Sequence, residues 1–179
     1  YALISYHTAY LKTHHKVEFM AALLTSEIGN QDKILKYIAA CKDNDIEVRQ
    51  PDVQVSRREF IVRDEAVVYG LGGIKNVGDE AIREIVAARE KDGPFLSFLD
   101  LCIRVSLRKV TKRVLESLIK GGALDCFGCS RAAMVAAIDP VVARAQKKIK
   151  EKQSNQISLL TLSPKKEENQ ASGIGFSCE

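Results

Sequence analysis

The sequence predicts a mainly α-helical protein with one short β-ribbon and a flexible C-terminal tail. Apolar residues recur at helical spacing in several segments, and an aromatic fraction of 6% without Trp indicates helices packed through Leu, Ile, Val and Ala. The order helix, glycine turn, helix occurs twice, over 71–90 and over 111–138. After residue 152 the composition changes to Gln, Ser, Asn, Lys and Glu, which is typical of a mobile segment.

Residues 1–50 form a first helical block in this prediction. Helical patterns cover 2–14, 17–24 and 32–41, and Pro51 ends the block. In the first of these helices, Leu3, Tyr6 and Tyr10 lie near one face. No capping residue or helix breaker precedes that helix, so we expect the chain to start inside a helix and to be a piece of a larger protein.

Residues 51–72 form a connector that contains the β-ribbon. The segments 59–62 and 67–69 are rich in Val, Ile, Phe and Tyr and are joined across 63–66, as expected for two short paired strands. The ribbon leads into residues 73–138, where we predict a tandem helix-hairpin-helix region.

The first hairpin turns at Lys75-Asn76-Val77-Gly78. A turn this tight needs a positive φ, which Gly78 adopts without steric cost and Asn76 tolerates better than most residues. The next helix would begin at Gly78 or Asp79, so its first backbone amides lack intrahelical partners. Together with Lys75, these amides would form a shallow pocket for a phosphate oxygen. Such a site holds the nucleic-acid backbone and does not read the base sequence.

The alternative interpretation is a plain corner between two helices, in which Asn76 and Gly78 serve only the chain reversal. Asp79 and Glu80 favour this alternative, because acidic residues in a first turn suit the helix dipole but repel an incoming phosphate.

The second hairpin follows an amphipathic helix over 111–121, whose polar face is basic. That helix stops at Gly121-Gly122, and Arg131 at the start of the next helix could assist a second phosphate contact. A longer connector makes the plain-corner interpretation stronger here than in the first hairpin. The residues of both hairpins predicted to contact nucleic acid are Lys75, Asn76, Val77, Gly78, Lys109, Lys112, Arg113, Lys120, Gly121, Gly122 and Arg131.

Positive charge is concentrated in the second half of the chain. The formal net charge is only +4, but residues 101–124 carry six basic side chains against one acidic side chain. Residues 139–152 are predicted to form a basic helix, with five basic residues against one acidic residue over 144–152. Two such clusters favour a polyanionic partner.

Five cysteines at irregular spacing argue against a disulfide framework. Cys126 and Cys129 form a CxxC pair, which occurs in zinc and redox sites, but no second pair follows and all three histidines are more than 100 residues away. Semi-buried thiols are therefore the favoured interpretation, and neither a metal nor a cofactor is expected. No apolar run is long enough to span a bilayer and no signal peptide is evident, which predicts a soluble, cytoplasmic protein without membrane contact.

Several blocks in one order resemble the bacterial DNA polymerase III α-subunit family, the C-family replicative polymerases. The resemblance covers residues 1–160 and includes Ile74-Lys75-Asn76-Val77-Gly78. The other matching blocks are 4–12, 18–24, 51–53, 69–71, 93–95 and 112–125.

The resemblance implies that residues 1–50 belong to the fingers and that the tandem hairpins hold primer–template duplex DNA behind the active site. It further implies that a peptide in the 153–179 tail binds the sliding clamp, with Gln156, Ile157, Ser158, Leu159 and Leu160 in the positions of the family motif. Without the resemblance, these five residues are only a short apolar motif of a kind that can enter a hydrophobic groove. Other replicase subunits are also implied as partners.

The chain departs from the family pattern at two positions. Asn76 stands where the hairpin often has Gly, and Leu160 replaces the usual Phe of the clamp peptide. The catalytic carboxylates of the family, which use Mg²⁺, lie in a palm domain upstream, so the chain alone should be inactive and has no catalytic residues. Asp43-Asn44-Asp45 has suitable residue types for metal chemistry, but a solvated helix end is the better interpretation.

The sequence therefore predicts sequence-independent duplex binding and tethering to the clamp, which together support processive synthesis. Two alternatives remain open at this point. The helices could form a scaffold between polymerase domains or subunits, or the hairpins could belong to a DNA repair enzyme.

Overall fold

The computed structural model describes the backbone of residues 1–161 and the side chains of residues 1–151. Eight α-helices and three short strands form in the described part of the chain. The helices are α1 (Ala2–His14), α2 (Lys16–Ser26), α3 (Gln31–Asp43), α4 (Asp79–Asp92), α5 (Phe98–Arg104), α6 (Lys112–Lys120), α7 (Arg131–Ala136) and α8 (Ile138–Thr161), and the strands are β1 (Val48–Arg49), β2 (Ile61–Arg63) and β3 (Ala66–Val68). The predicted mainly α-helical class is confirmed.

The strands form one small sheet in the order β1-β3-β2. The predicted ribbon is the antiparallel pair β2–β3, in which Val62 lies opposite Val67. Its two-residue turn has positive φ at both Asp64 (51°) and Glu65 (57°), the geometry that matches the twist of paired strands. The parallel partner β1 was not predicted, because two residues carry no periodic pattern.

A first hydrophobic core joins α2, α3 and the sheet. Leu24 and Ile34 are fully or almost fully buried there against Phe60 and Val67. Helix α3 begins after Asn30, whose side-chain Oδ1 accepts a hydrogen bond from the Lys33 amide at 3.2 Å. Helix α1 contributes no buried residue, so the expected apolar face at Leu3, Tyr6 and Tyr10 stays exposed among the described residues.

A second and larger core lies beneath both predicted hairpins. Ile85 of α4, Leu101 of α5 and Leu118 of α6 have no exposed surface, and α8 adds Val142 and Ala145. Helices α4 to α8 all contribute to this one cluster, so the two hairpins pack on a common hydrophobic core.

The connector attaches this region to the first core. The Val53 amide donates to the Ala123 carbonyl at 2.9 Å, and the side chains of Gln31 and Tyr69 both donate to the Gly73 carbonyl, at 2.9 and 3.1 Å. The turn that follows Gly73 is therefore fixed from α3 and from the end of the sheet.

Helix α8 does not end where the sequence suggested. Its backbone continues through Thr161, whereas the basic helix was expected to give way to a tail at residue 153. Gln, Ser and Asn are tolerated in helices, and no Gly or Pro occurs between Val141 and Ser163, so nothing local stops the helix at 153. No helix in the described part of the chain is long and apolar enough to cross a membrane.

Candidate nucleic-acid interface

The first hairpin is an exposed turn anchored by one apolar side chain. A single 3₁₀ turn, Leu71–Gly73, precedes it where a short helix was expected. Lys75, Asn76 and Gly78 are exposed, while Val77 packs into the second core with 8% of its surface accessible. The turn therefore faces outward, as a backbone-binding site requires.

The positive φ of this turn belongs to Asn76 and not to Gly78. Asn76 has φ 66°, whereas Gly78 is extended, with φ −81° and ψ 157°. Of the two residues that the sequence offered for this φ, the turn uses Asn76, while Gly78 occupies the N-cap position of α4. Asn adopts the left-handed conformation more readily than other non-glycine residues, so it can replace the Gly that the family often has there.

The first amides of α4 are not capped by a side chain. Gly78 has no side chain to offer, and within the described part of the chain no side-chain acceptor bonds to the first turn of α4. Helix α4 spans Asp79–Asp92, so its unpaired amides and its dipole both face the exposed turn. This arrangement can accept an anion.

Arg58 compensates the negative charge of Asp79, one of the two acidic residues that favoured the plain-corner interpretation. Its Nε lies 2.8 Å from Asp79 Oδ1, and this hydrogen bond and charge pair hold the pKa of Asp79 below its usual range. Arg58 is 21 residues from Asp79 and lies beyond the hairpin motif, so sequence analysis missed it. Glu80 remains exposed.

The second hairpin is built differently. After α6, Gly122 takes φ 83°, a 3₁₀ turn follows at Asp125–Phe127, and α7 begins after Ser130. Ser130 Oγ accepts from the Ala133 amide at 3.3 Å, so α7 carries its own cap. This turn therefore offers a weaker backbone site than the first.

Arg131 has a structural role in this second turn. Its Nε lies 2.9 Å from Asp125 Oδ1, and its Nη1 donates to the Lys120 carbonyl at 3.4 Å. The pair with Arg131 holds the pKa of Asp125 below its usual range. The expected phosphate-assisting role of Arg131 thus competes with an ion pair that closes the turn.

The two hairpins contact each other directly. A Cβ added at Gly121 would lie 3.2 Å from Ile74 Cδ1, which shows how closely the end of α6 packs against the first turn. Arg113, in the first turn of α6, donates through Nη2 to Asn76 Oδ1 at 3.1 Å. The sequence-predicted residues Asn76 and Arg113, 37 positions apart, are therefore neighbours.

Most of the predicted basic contacts are paired with carboxylates. Lys109 lies 3.0 Å from Glu84, Lys120 lies 2.6 Å from Glu116, and Lys112 pairs with Asp139. In the described part of the chain, Lys75 and Arg113 form no ion pair. Exposed pairs of this kind are weak, so the paired lysines can still exchange partners with a phosphate.

Arg104 is one of the six basic residues of 101–124, but its side chain is largely buried and does not lie on the exposed basic surface. Its side chain is 12% exposed, its Nη2 donates to the Ala88 and Gly93 carbonyls at 2.6 and 2.7 Å, and its guanidinium lies 4.5 Å from the Phe95 ring centre. It satisfies the C-terminal carbonyls of α4, so its charge serves the fold.

The cysteine pair does not have the expected environment. Cys126 and Cys129 are both exposed free thiols, whereas semi-buried thiols were predicted. The Cys126 sulfur is nonetheless partly desolvated by its neighbours, and this desolvation, with Asp52 nearby, raises the pKa of the thiol to about 12. No group of three or more His, Cys, Asp or Glu side chains in the described residues is arranged to hold a metal, and Asp43-Asn44-Asp45 lies at the exposed end of α3.

The predicted clamp-binding residues Gln156, Ile157, Ser158, Leu159 and Leu160 have a helical backbone at the end of α8. Their side chains lie outside the part of the chain whose side chains the structure describes. Contacts of this motif thus remain a prediction.

Comparison with known proteins adds two findings. Residues 45–134 match the helix-hairpin-helix motif family, a range that includes the connector, the first hairpin and the second hairpin as far as the first residues of α7. DNA polymerase III subunit alpha of Vibrio cholerae is 46% identical over 146 residues, which is 81% of this chain and 13% of that protein. The corresponding protein of Thermus aquaticus is 46% identical over 142 residues, 79% of this chain and 12% of its own length.

A more distant relative extends the matched range. DNA polymerase III subunit alpha of Buchnera aphidicola subsp. Acyrthosiphon pisum is 38% identical over 160 residues, 89% of this chain and 14% of that protein. The chain thus spans roughly an eighth of the length of these curated relatives. The resemblance to DNA polymerase III subunit alpha is confirmed.

Proposed function

The chain belongs to the helix-hairpin-helix family and is homologous to part of the DNA polymerase III α subunit, and from this premise we propose that it binds duplex DNA through the backbone without sequence preference. The uncapped, outward-facing start of α4 beside Lys75 is the observation that carries the proposal. Backbone amides and a flexible ammonium group recognise phosphate, which is the same at every base pair.

The packing of the two hairpins supports the same function. Asn76 and Arg113 bring the second hairpin's helix against the first turn, so cationic and amide donors lie on one exposed surface. We define the hairpin surface as Lys75, Asn76, Gly78 and Arg113. This surface would hold product duplex while synthesis takes place elsewhere in the polymerase.

A titration with two duplexes of unrelated sequence tests the proposal. Fluorescence anisotropy at about 50 and about 200 mM salt should show similar affinities for both duplexes and a marked loss of affinity at the higher salt. Lys75→Ala should weaken binding to both duplexes alike. Lys36→Ala, an exposed lysine on α3, a helix that packs against α2 and β1, is the matched control. A sequence-dependent loss, or an equal effect of both variants, would contradict the proposal.

We also propose that residues 156–160 tether the chain to the sliding clamp. This finer role is supported by the position and residue types of the motif, since tethering raises the effective concentration of the polymerase at the primer end. The parent polymerase would then supply Mg²⁺-dependent nucleotidyl transfer from other segments, in the cytoplasm and with other replicase subunits.

Capture on immobilised clamp from the same organism tests the tether. Gln156→Ala with Leu159→Ala should abolish capture, because the amide and one apolar anchor are lost together. Asn155→Ala, in the same helix but outside the motif, should leave capture unchanged. Full capture of the double variant would refute the assignment.

One observation favours an additional scaffold role. Leu3, Ile4 and Tyr6 of α1 are each at least 64% exposed, which is unusual for large apolar side chains on one helix. Leu3→Asp with Ile4→Asp should weaken association with the rest of the polymerase in a pull-down and leave duplex binding unchanged. A loss of duplex binding instead would place α1 in the DNA interface.

A further inference from the structure

Asn76 and Arg113 form the one direct polar contact between the first turn and helix α6 in the described residues. We propose that Asn76 is a positioning residue that holds Arg113 against the turn, so that the two hairpins contact one backbone phosphate together. This inference rests on the proposed duplex binding and deepens it, because it assigns a shared site to two hairpins that would otherwise bind separate phosphates.

The geometry places Arg113 where it can act on the first turn. Thr111 caps α6, with its Oγ1 accepting from the Val114 amide, and this fixes Arg113 in the first helical turn. The guanidinium Nη2 then lies 3.1 Å from Asn76 Oδ1, and both side chains are exposed. At the other end of α6, Gly121 packs closely against Ile74, so both ends of the helix lie against the first turn.

The charge of this contact differs from that of its neighbours. Lys109, Lys112 and Lys120 are paired with carboxylates, which compensate their charge. Asn76 is neutral, so it orients Arg113 through a single hydrogen bond and leaves its positive charge uncompensated. The other N–H groups of the guanidinium stay available, and a phosphate accepts such donors in pairs.

Asn is suited to this position on three separate grounds. It tolerates the positive φ that the turn requires, it provides an acceptor for Arg113, and it adds no negative charge beside a phosphate site. Gly would satisfy the backbone but could not hold Arg113. Asp would hold Arg113 but would compensate its charge.

A double-mutant cycle on duplex binding tests the inference. Asn76→Gly, Arg113→Ala and the double variant are titrated with two unrelated duplexes over the same salt range. Arg113→Ala should lower the slope of log affinity against log salt by about 0.9, the value for one phosphate contact. Asn76→Gly should weaken binding by roughly two- to five-fold in the wild-type background, as expected for one hydrogen bond, and have no effect in the Arg113→Ala background.

Two further variants separate charge from position. Asn76→Asp should weaken binding and lower the salt slope as much as Arg113→Ala does, because its carboxylate compensates the guanidinium. Arg63→Ala, an exposed arginine of β2, is the control for loss of one positive charge and should leave the slope unchanged. Melting followed by circular dichroism confirms that each variant is folded.

The outcomes distinguish this inference from the function it rests on. If Asn76→Gly weakens binding equally with and without Arg113, or not at all, the coupling is overturned, while a loss with Lys75→Ala still upholds duplex binding. If the wild-type chain binds neither duplex, the proposed function and the inference are overturned together.

Discussion

At the scale of single residues, the first turn depends on a side chain in an uncommon backbone conformation. Asn76 has φ 66°, whereas Gly78, the other residue that the sequence offered for this conformation, has an ordinary extended backbone with open space around it. The sequence identified the turn correctly but could not show which residue carries the positive φ, because Asn and Gly both adopt it.

Asn76→Ala should therefore be less stable than Asn76→Gly by about 1 kcal/mol, the cost of a Cβ in the left-handed region. Both variants lose the hydrogen bond to Arg113, so the difference between their free energies of unfolding gives the cost of the left-handed backbone conformation alone. Urea denaturation followed by circular dichroism measures it. Equal free energies of unfolding would show that the turn relaxes to another conformation.

At the scale of helices, the start of α4 combines a structural cost with a binding site. A helix start without a side-chain cap leaves stabilising hydrogen bonds unmade, and those same amides are available to an anion. Sequence analysis predicted this helix start and its turn, because Gly78 and Asp79 mark it locally. The contribution of Arg58 could not be predicted, since it depends on how the connector folds back onto α4.

Gly78→Ser should raise stability by a few tenths of a kcal/mol and weaken duplex binding, because its hydroxyl would occupy the first amides of α4. The two effects have opposite signs, which a general loss of folding cannot produce. Gly78→Ala is the matched comparison, since it adds a Cβ without an acceptor and should weaken duplex binding less than Gly78→Ser does. Stability is measured in urea and binding by anisotropy. Unchanged binding by the Gly78→Ser variant would show that these amides do not contact DNA.

The junction between α4 and α5 depends on Arg104. Arg104→Ala should lower the free energy of unfolding by about 3 kcal/mol, because it leaves the Ala88 and Gly93 carbonyls without a charged donor and removes the contact with Phe95. Arg104→Lys keeps the charge but lacks the planar guanidinium group, so it should recover only part of the lost free energy of unfolding. The salt slope of duplex binding should not change in the Arg104→Ala variant, which removes the charge, under conditions in which circular dichroism shows that this variant is folded. A lower slope would place Arg104 at the DNA surface.

At the scale of the whole molecule, both hairpins rest on one core, which includes Ile85 of α4, Leu101 of α5 and Leu118 of α6. The helical class, the ribbon and the tandem hairpins could be predicted from local patterns, because turns and amphipathic faces depend on residues that are close together in the sequence. The pairing of β1 with β3, the Asn76–Arg113 contact and the ion pairs at the lysines join distant positions, so the sequence alone did not reveal them.

Leu118→Ala should therefore destabilise both hairpins together, by about 3 kcal/mol, because the cavity lies in their shared core. Hydrogen exchange should show reduced protection of slow amides in α4 and α7 as well as in α6. Leu24→Ala, in the core of α2, α3 and the sheet, is the comparison and should reduce protection chiefly there. Loss of protection confined to α6 would show that the hairpins unfold independently.

The close packing of Gly121 on Ile74 has a consequence for how this region can be exchanged among relatives. Any side chain at position 121 must displace Ile74, which is adjacent to Lys75. A substitution in the second hairpin therefore also shifts the DNA-facing turn of the first. A chimera in which one hairpin is replaced by that of a homologue should therefore lose affinity for duplex DNA. Replacing residues 74 and 121 together should restore that affinity.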